Sequence, residues 1–165
     1  MSQTQESKQQ KKFHEIVSEI KAAMLVTRKA DGALKSRPMM LLEATQEGKM
    51  TFITGQDTDK VDDLLQDQHV CVTFQHGGAF LSASGHATID ANRDEIHRLW
   101  SKANEAWFDG PDDPNVVLLQ VRTESAEYWD NRGLKALKYA FDAVRAMATG
   151  GQPDASRSQH GTVNL

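Results

Sequence analysis

The residues best suited to bind a ligand lie between Ser36 and Lys60. This stretch predicts two antiparallel strands joined by a short turn, followed by the start of a short helix. Such a turn brings the start of the first strand beside the end of the second strand. Ser36, Arg37 and Thr54 are therefore expected to meet close to the helix start at Thr58. Hydroxyls, a guanidinium group and free helix N–H groups at one point suit a phosphate.

Lys60 strengthens this interpretation because it lies in the first turn of the predicted helix. A cation at that position opposes the helix dipole by a few tenths of a kcal/mol, so an anion is expected nearby. The alternative is that the acidic neighbours of Lys60 pair with it as capping groups; these are Asp57, Asp59, Asp62 and Asp63. The spacing alone leaves both interpretations open.

The composition is that of an ordinary single domain. A chain of 165 residues can bury a substantial core. A net charge of −4 argues against a nucleic-acid or anionic-membrane partner. No apolar run approaches the roughly 20 residues that a membrane helix needs, and the polar N-terminus lacks the apolar core of a signal peptide. We therefore expect a cytoplasmic protein.

Hydrophobic periodicity predicts a β-rich (α+β) domain over residues 11–148, between a flexible N-terminus at 1–10 and a disordered tail at 149–165. The predicted strands cover residues 22–27, 34–44, 49–54, 69–75, 79–90 and 116–123, the last continuing at 126–130. Pro38, inside the second strand, indicates an edge or a locally unpaired position because proline cannot donate to a sheet.

Helices are predicted between and around these strands. A first helix carries an apolar stripe from Phe13 to Ile20. A short helix at 58–66 has a predicted buried side of Val61, Leu64 and Leu65. A third helix begins at the cap residue Asn92 and has one apolar face, formed by Ile96, Leu99, Trp100, Ala103 and Trp107. A final helix is predicted at 134–148.

No known catalytic or metal-binding pattern occurs in the sequence. There is no Walker motif, no dinucleotide-binding glycine pattern and no zinc-type spacing of Cys and His. The six histidines form no close ligand pair in the sequence. We therefore predict no metal site and assign no catalytic residue from the sequence.

Four motifs resemble the general stress protein 26 family, within the pyridoxamine 5'-phosphate oxidase-like FMN-binding split barrels. They occur in family order across roughly residues 12–132: Ser36-Arg37-Pro38-Met39; Phe52-Ile53-Thr54 followed by Asp59-Lys60; 100–114 with Trp107-Phe108; and Ala126-Glu127-Tyr128-Trp129-Asp130. The resemblance implies a six-stranded antiparallel split β-barrel of Greek-key type, flanked by helices. It also implies a homodimer with FMN at the interface.

The resemblance also implies roles for individual residues. Arg37 and Lys60 would neutralise the FMN phosphate, and the hydroxyls of Ser36 and Thr54 would add hydrogen bonds. The backbone of Pro38, Phe52 and Ile53 would face the polar edge of the ring and the ribityl chain. Met39 or its neighbour Met40 would lie against the ring, and Trp107 and Trp129 would pack near it. The alternative is that these methionines and tryptophans are ordinary core or interface residues. FAD would fit the same phosphate site.

The function that follows from this resemblance is that of a flavin-binding general stress protein, expected to act as an FMN-dependent oxidoreductase on a small redox substrate that the sequence does not name. True pyridoxamine phosphate oxidases carry an Arg-x-His-type motif after the late tryptophan. Here Trp129 is followed by Asp130-Asn131-Arg132-Gly133, so vitamin B6 oxidase activity is not expected. The alternatives are a non-catalytic flavin-binding or flavin-sensing protein, and a haem-handling split barrel with His86 or His97 as axial ligand.

Overall fold

The structure is a computed structural model that describes residues 3–132 and 159–165. In chain order its elements are α1 Gln3–Glu19, β1 Ala22–Arg28, β2 Leu34–Ala44, β3 Lys49–Gly55, α2 Asp59–Gln66, β4 His69–His76, β5 Ala79–Asp90, α3 Arg93–Leu99, a 3₁₀ turn Lys102–Ala106, β6 Val116–Asp130 and β7 Gln159–Asn164. The final helix expected at 134–148 lies outside the described residues.

Six antiparallel strands form a closed barrel in the order β3-β2-β1-β4-β5-β6, and β6 pairs back onto β3. This confirms the predicted β-rich split barrel. Alternate residues of each strand point into the core, which contains the fully buried side chains of Leu25, Phe52 and Val72. The apolar stripe of α1 packs against the same core through Phe13, Ile16 and Val17, all fully buried.

The barrel is split along β2. This strand pairs with β1 over Leu34–Met40, but with β3 only from Leu41 to Ala44. Among the described residues, the first half of β2 therefore has a neighbouring strand on one side only, and Pro38 lies in this half. The unpaired position expected from Pro38 is confirmed, and it leaves a backbone edge open beside α2.

The described residues add a seventh strand that the sequence did not predict. One edge of β6 pairs with β5 along nearly the whole length of β6. The opposite edge of β6 pairs with β3 in its first half and with β7 in its second half. The strand lies within the tail expected to be disordered. It is held because Val163 is fully buried and because Gly161 lies against the Tyr128 ring, where a Cβ would come within 2.5 Å of the hydroxyl.

Three helical details differ from the sequence expectation. α1 already begins at Gln3, inside the segment expected to be flexible, because good helix formers precede its apolar stripe. In α2, Leu65 is 78% exposed and Asp63 takes its place on the buried side. The third helix stops at Leu99, and a capping box between Ser101 and Asn104 starts a separate 3₁₀ turn.

Among the residues that the structure describes, no helix has both the length and the apolar character needed to cross a membrane.

Candidate functional site

Arg37 lies at the end of the barrel that α2 covers, and it is already held by protein groups. Its guanidinium group donates one hydrogen bond to Thr27 Oγ1 at 2.7 Å and another to Asp63 Oδ2 at 3.1 Å. The Thr27 hydroxyl in turn donates to the same Asp63 oxygen at 2.6 Å. The side chains of Arg37 and Asp63 are only 13% and 11% exposed. Arg37 therefore joins β1, β2 and α2.

Lys60 is left without a carboxylate in direct contact among the described residues. Its ammonium group donates a hydrogen bond to Thr54 Oγ1 at 2.9 Å, and Thr54 itself is buried. The acidic residue Asp63, which was one candidate to pair with Lys60, instead binds Arg37. Lys60 is thus a half-buried cation whose direct partner is a neutral hydroxyl.

The electrostatic surroundings of Lys60 favour an incoming anion. Burial lowers the pKa of Lys60, and the positive charges of Arg37 and Lys35 lower it further, while Asp59 opposes them. A depressed lysine pKa means that the charged form is less well stabilised here than in water. A phosphate beside Lys60 would supply the missing negative charge.

Lys35 is a member of this site that sequence reasoning missed. It lies two residues before Arg37 on the same face of β2, and its ammonium group is 2.5 Å from Asp59 Oδ2. This contact and the nearby charge of Lys35 lower the pKa of Asp59. Asp59 and Asp63, the two acidic residues of α2 that contact β2, are therefore already paired with cations. The signal that could have found Lys35 is its alternation with Arg37 along a strand.

The start of α2 provides backbone donors at the same place. The hydroxyl of the N-cap residue Thr58 makes no capping bond to the helix and donates instead to the Gly55 carbonyl at 2.9 Å. The loop before it is fixed by Asn115, which accepts from the backbone N–H groups of Gln56 and Asp57. The first N–H groups of α2 are therefore available to a ligand at its N-terminus.

Other predicted site residues of β2 face away from the cations. Ser36, Pro38 and Met40 are exposed on the outer surface of the barrel, whereas Arg37 and Met39 point inward. Met39 is a core residue at 7% exposure, and Met40 is 57% exposed. Ser36 thus does not share a face with Arg37, because successive residues of a strand point to opposite sides.

On β3, only backbone and one hydroxyl face the site. Phe52 is fully buried in the main core, and Ile53 packs in a second cluster with Trp100 and Phe108. Thr54 meets Lys60 as described above. The predicted involvement of the Phe52 and Ile53 backbone is compatible with this arrangement, since their side chains are occupied in packing.

The two aromatic residues predicted near the flavin lie on other elements than the cations. Trp129 is on the outer face of β6, directly opposite Phe80 of β5. Trp107 follows the 3₁₀ turn and is 82% exposed. The single apolar helix face that was predicted to contain Trp107 does not form, because the helix ends at Leu99 and Trp100 is its C-cap residue.

The histidines nominated as haem ligands are surface residues bound to carboxylates. His86 Nδ1 is 2.8 Å from Glu124, and His97 Nε2 is 2.7 Å from Asp112. Within residues 3–132 and 159–165, no group of three or more His, Cys, Asp or Glu side chains is arranged to hold a metal ion. Both histidine side chains are exposed to solvent, at 39% and 47%.

Comparison with known proteins gives consistent results. Residues 8–154 match the family model described as pyridoxamine 5'-phosphate oxidase like. The chain is 34% identical over 122 residues to protein bli-3 of Neurospora crassa, covering 66% of this chain and 58% of that protein. It is 30% identical over 102 residues to general stress protein 26 of Bacillus subtilis, covering 50% of this chain and 73% of that protein. The chain thus spans less than two thirds of the fungal relative.

A solved structure shares the fold. The general stress FMN/FAD binding protein of Xanthomonas citri superposes with a TM-score of 0.66 at 29% identity, over 75% of this chain and 89% of that one.

Proposed function

Because this chain belongs to the pyridoxamine 5'-phosphate oxidase-like family, with general stress protein 26 as a relative, we propose that it binds FMN and acts as a flavin-dependent oxidoreductase of the general stress class. The observation that carries the proposal is Lys60, a half-buried cation bonded to a neutral hydroxyl and repelled by two further cations. The Xanthomonas citri relative, which binds FMN or FAD, supports a flavin as the ligand.

The phosphate of the cofactor would bind at the N-terminus of α2. Lys60 and the Thr54 hydroxyl contact it directly, and the first N–H groups of α2 add backbone donors. Lys35 contacts Asp59 at the start of α2 and can exchange this contact for one with the phosphate. Arg37 lies behind this site and contributes positive charge while holding α2 against the barrel.

The flavin ring would lie along the open edge of β2. In the part of the chain that the structure describes, residues 34–40 have no strand on the side facing the split, so their backbone can meet the polar edge of the ring. Met40 is the exposed methionine available to pack on the ring. The sequence left open which of the two methionines would do so, and Met39 is less suited because it is buried in the core.

A second copy of this chain would complete the site. The outer face of the sheet exposes Met24, Met40 and Phe80, at 40%, 57% and 38%. Small residues, Ser82 and Ser84, lie among them and permit a close approach. An apolar face of this kind on a barrel suits a homodimer interface. In such a dimer, Trp107 and Trp129 can approach the flavin bound by the partner.

When bound, FMN supplies the redox chemistry by accepting a hydride, and the protein binds it, orients it and excludes water. Vitamin B6 oxidation is not part of the proposal. The position after Trp129 is Asp130, which is buried and forms ion pairs with Lys12 and Arg132. This segment therefore fastens α1 to β6 instead of facing a substrate.

The test is a titration of the purified apo-protein with FMN and FAD, followed by flavin fluorescence and by sizing. One FMN per chain in a dimer is expected, and a folded protein that binds neither flavin would overturn the proposal. Stopped-flow reduction of the loaded protein by NADH or NADPH, with reoxidation by oxygen or a quinone, then separates an oxidoreductase from a flavin-binding protein that does not turn over. A Soret band on haem titration, lost in His86 or His97 variants, would favour haem instead.

A further inference from the structure

A pair of histidines lies at the opposite end of α2 from Lys60. His69 begins β4 and His86 lies directly opposite it on β5. Their ring centroids are 4.4 Å apart, with the ring planes inclined at 49°. Both side chains belong to the outer face of the sheet and are accessible, at 71% and 39% exposure. Neither residue has a part in the flavin site.

Each histidine is oriented by its own carboxylate through the same ring nitrogen. Asp67 Oδ1 is 2.7 Å from His69 Nδ1, and Glu124 Oε1 is 2.8 Å from His86 Nδ1. An ionised carboxylate can only accept, so the hydrogen bond of His69 places the proton of its neutral ring on Nδ1 and leaves the lone pair on Nε2. The close contact of His86 Nδ1 with Glu124 favours the same tautomer in the second ring. The two Nε2 atoms have no hydrogen-bond partner among the described residues. This is the second-sphere arrangement that supports histidine ligands of metals.

The backbone places Glu124 for this role. The register of β5 and β6 shifts between Ser84 and Gly85, which leaves Glu124 as the additional residue of a β-bulge. Gly85 makes the bulge possible, because a Cβ there would lie 2.0 Å from the Arg122 carbonyl oxygen. Bulges of this kind redirect a side chain. Here the redirected side chain contacts His86.

We propose that His69 and His86 form a two-histidine site for a first-row transition-metal ion, with Cu²⁺ and Zn²⁺ as the test ions. Imidazole suits these metals, and ligand nitrogens about 2.0–2.1 Å from one ion lie roughly 3 Å apart. Two rings whose centroids are 4.4 Å apart are close enough for both Nε2 atoms to reach one ion after the side chains rotate. Water or an external ligand completes the coordination.

The local charge does not oppose a cation. Arg28 is 3.6 Å from Asp67, and Arg122 lies opposite His86 in the register of β5 and β6. Asp67 and Glu124 balance these two positive charges. The metal would therefore meet a pair of neutral rings in surroundings of about zero net charge.

The experiment is a calorimetric titration of tag-free, flavin-loaded protein with Cu²⁺ and, separately, Zn²⁺, in a buffer that does not chelate metals. The expected result is one ion per chain, with Cu²⁺ bound more tightly than Zn²⁺. His69→Asn and His86→Asn should each weaken binding by at least about 100-fold. Glu124→Ala, which removes only an orienting group, should weaken it by about 10-fold.

The matched control is His97→Asn. His97 is also exposed and bound to a carboxylate, but it has no second histidine beside it and its Nε2 is occupied by Asp112. This variant should bind metal like the parent. With Zn²⁺, the ring resonances of His69 and His86 should shift together in NMR spectra. Unchanged affinity in both His69→Asn and His86→Asn, or an equal loss in His97→Asn, would overturn the proposal. Bound FMN should be retained in every variant, which separates this test from that of the flavin site.

Discussion

At the scale of single residues, the site depends on how its charges are paired. Four acidic residues surround Lys60 in the sequence, and one of the two interpretations left open was that they neutralise its charge. The structure instead pairs Asp63 with Arg37 and Asp59 with Lys35. Lys60 retains a hydroxyl as its direct partner, so its charge is available to a ligand.

We predict that Lys60→Met weakens FMN binding by about 1.5–3 kcal/mol, the worth of a hydrogen bond to a charged group. The dissociation constant would then rise roughly 10- to 100-fold. Because the pKa of Lys60 is lowered by burial and by neighbouring cations, the apo-protein should be as stable as the parent or more stable. Fluorescence titration and chemical unfolding measure the two effects.

The control is Lys29→Met, which removes the same charge from an exposed lysine paired with Asp31. It should leave FMN affinity unchanged. Equal affinities for the Lys60 variant, the Lys29 variant and the parent would exclude Lys60 from the phosphate site.

At the scale of secondary-structure elements, α2 is fastened to the barrel by the Arg37–Asp63–Thr27 network. Breaking a nearly buried ion pair leaves the other charge uncompensated, which typically costs about 3–5 kcal/mol. We therefore predict that Arg37→Ala lowers the free energy of unfolding by about this amount, in addition to weakening flavin binding. Urea denaturation of the apo-protein measures it.

Arg28→Ala is the comparison for this effect, since Arg28 is 58% exposed and 3.6 Å from its carboxylate. It should cost no more than about 1 kcal/mol. If Arg37→Ala were as stable as Arg28→Ala, the network would not hold α2 in place, and Arg37 would be free to act on the phosphate alone.

A second connection between elements joins α1 to β6 and depends on pH. Hydrogen bonds from Arg132 lower the pKa of Asp130 far below its ordinary value of 3.8, burial opposes this, and Lys12 lowers it further. A carboxylate with a lowered folded-state pKa stabilises the fold above its unfolded pKa, and this stabilisation is lost as the pH falls below it.

The expected outcome is that Asp130→Asn is less stable than the parent at pH 7, by about 1–3 kcal/mol. The difference should shrink as the pH is lowered from about 4.5 to 2.5. Unfolding measured across this range gives the answer, with the exposed Asp109→Asn as control. A difference that stays constant with pH would show that the charge of Asp130 is not responsible.

The sequence was informative about these elements where local signals decide them. β2 and β5 begin and end at the predicted residues, because turn residues and alternating side chains mark their limits. The open edge at Pro38 was also predictable, since proline lacks the N–H group. Thr54 and Lys60, which the sequence predicted to meet, do form a hydrogen bond, and their role in binding a phosphate stays a prediction.

Other features depend on contacts between distant parts of the chain, so the sequence could not reveal them. The partners of Arg37 are Thr27 and Asp63, which reach it only when three elements assemble. The tail looked too polar to be ordered, yet one buried residue, Val163, and a free edge of β6 are enough to place β7. The helix whose apolar face was expected to include Trp107 ends at Leu99. Beyond it, the capping box of Ser101 and Asn104 starts a separate 3₁₀ turn, although the apolar periodicity continues in the sequence.

At the scale of the whole molecule, the proposed dimer assembles through the outer face of the sheet. We predict that Phe80→Asp converts a dimer into a monomer, because it introduces a charge at an apolar and small-residue surface. Loss of the dimer should also lower flavin affinity, since in the proposed arrangement Trp107 and Trp129 would no longer reach the cofactor of the partner. Light scattering with sizing measures the oligomeric state.

Leu65→Asp provides the control, because Leu65 is equally apolar and even more exposed, at 78%, but lies on α2. This variant should remain a dimer. A Phe80→Asp protein that also remains a dimer would show that subunits associate through another surface.

The pairing of β7 with β6 has a further consequence for the entropy of folding. Asp130 and Gln159 are direct neighbours in the register of these strands, so folding must bring together two positions that lie far apart in the sequence. The entropic cost of closing a loop rises only slowly with its length. The sequence distance between the two strands therefore adds little to the cost of pairing β7, and the burial of Val163 opposes that cost.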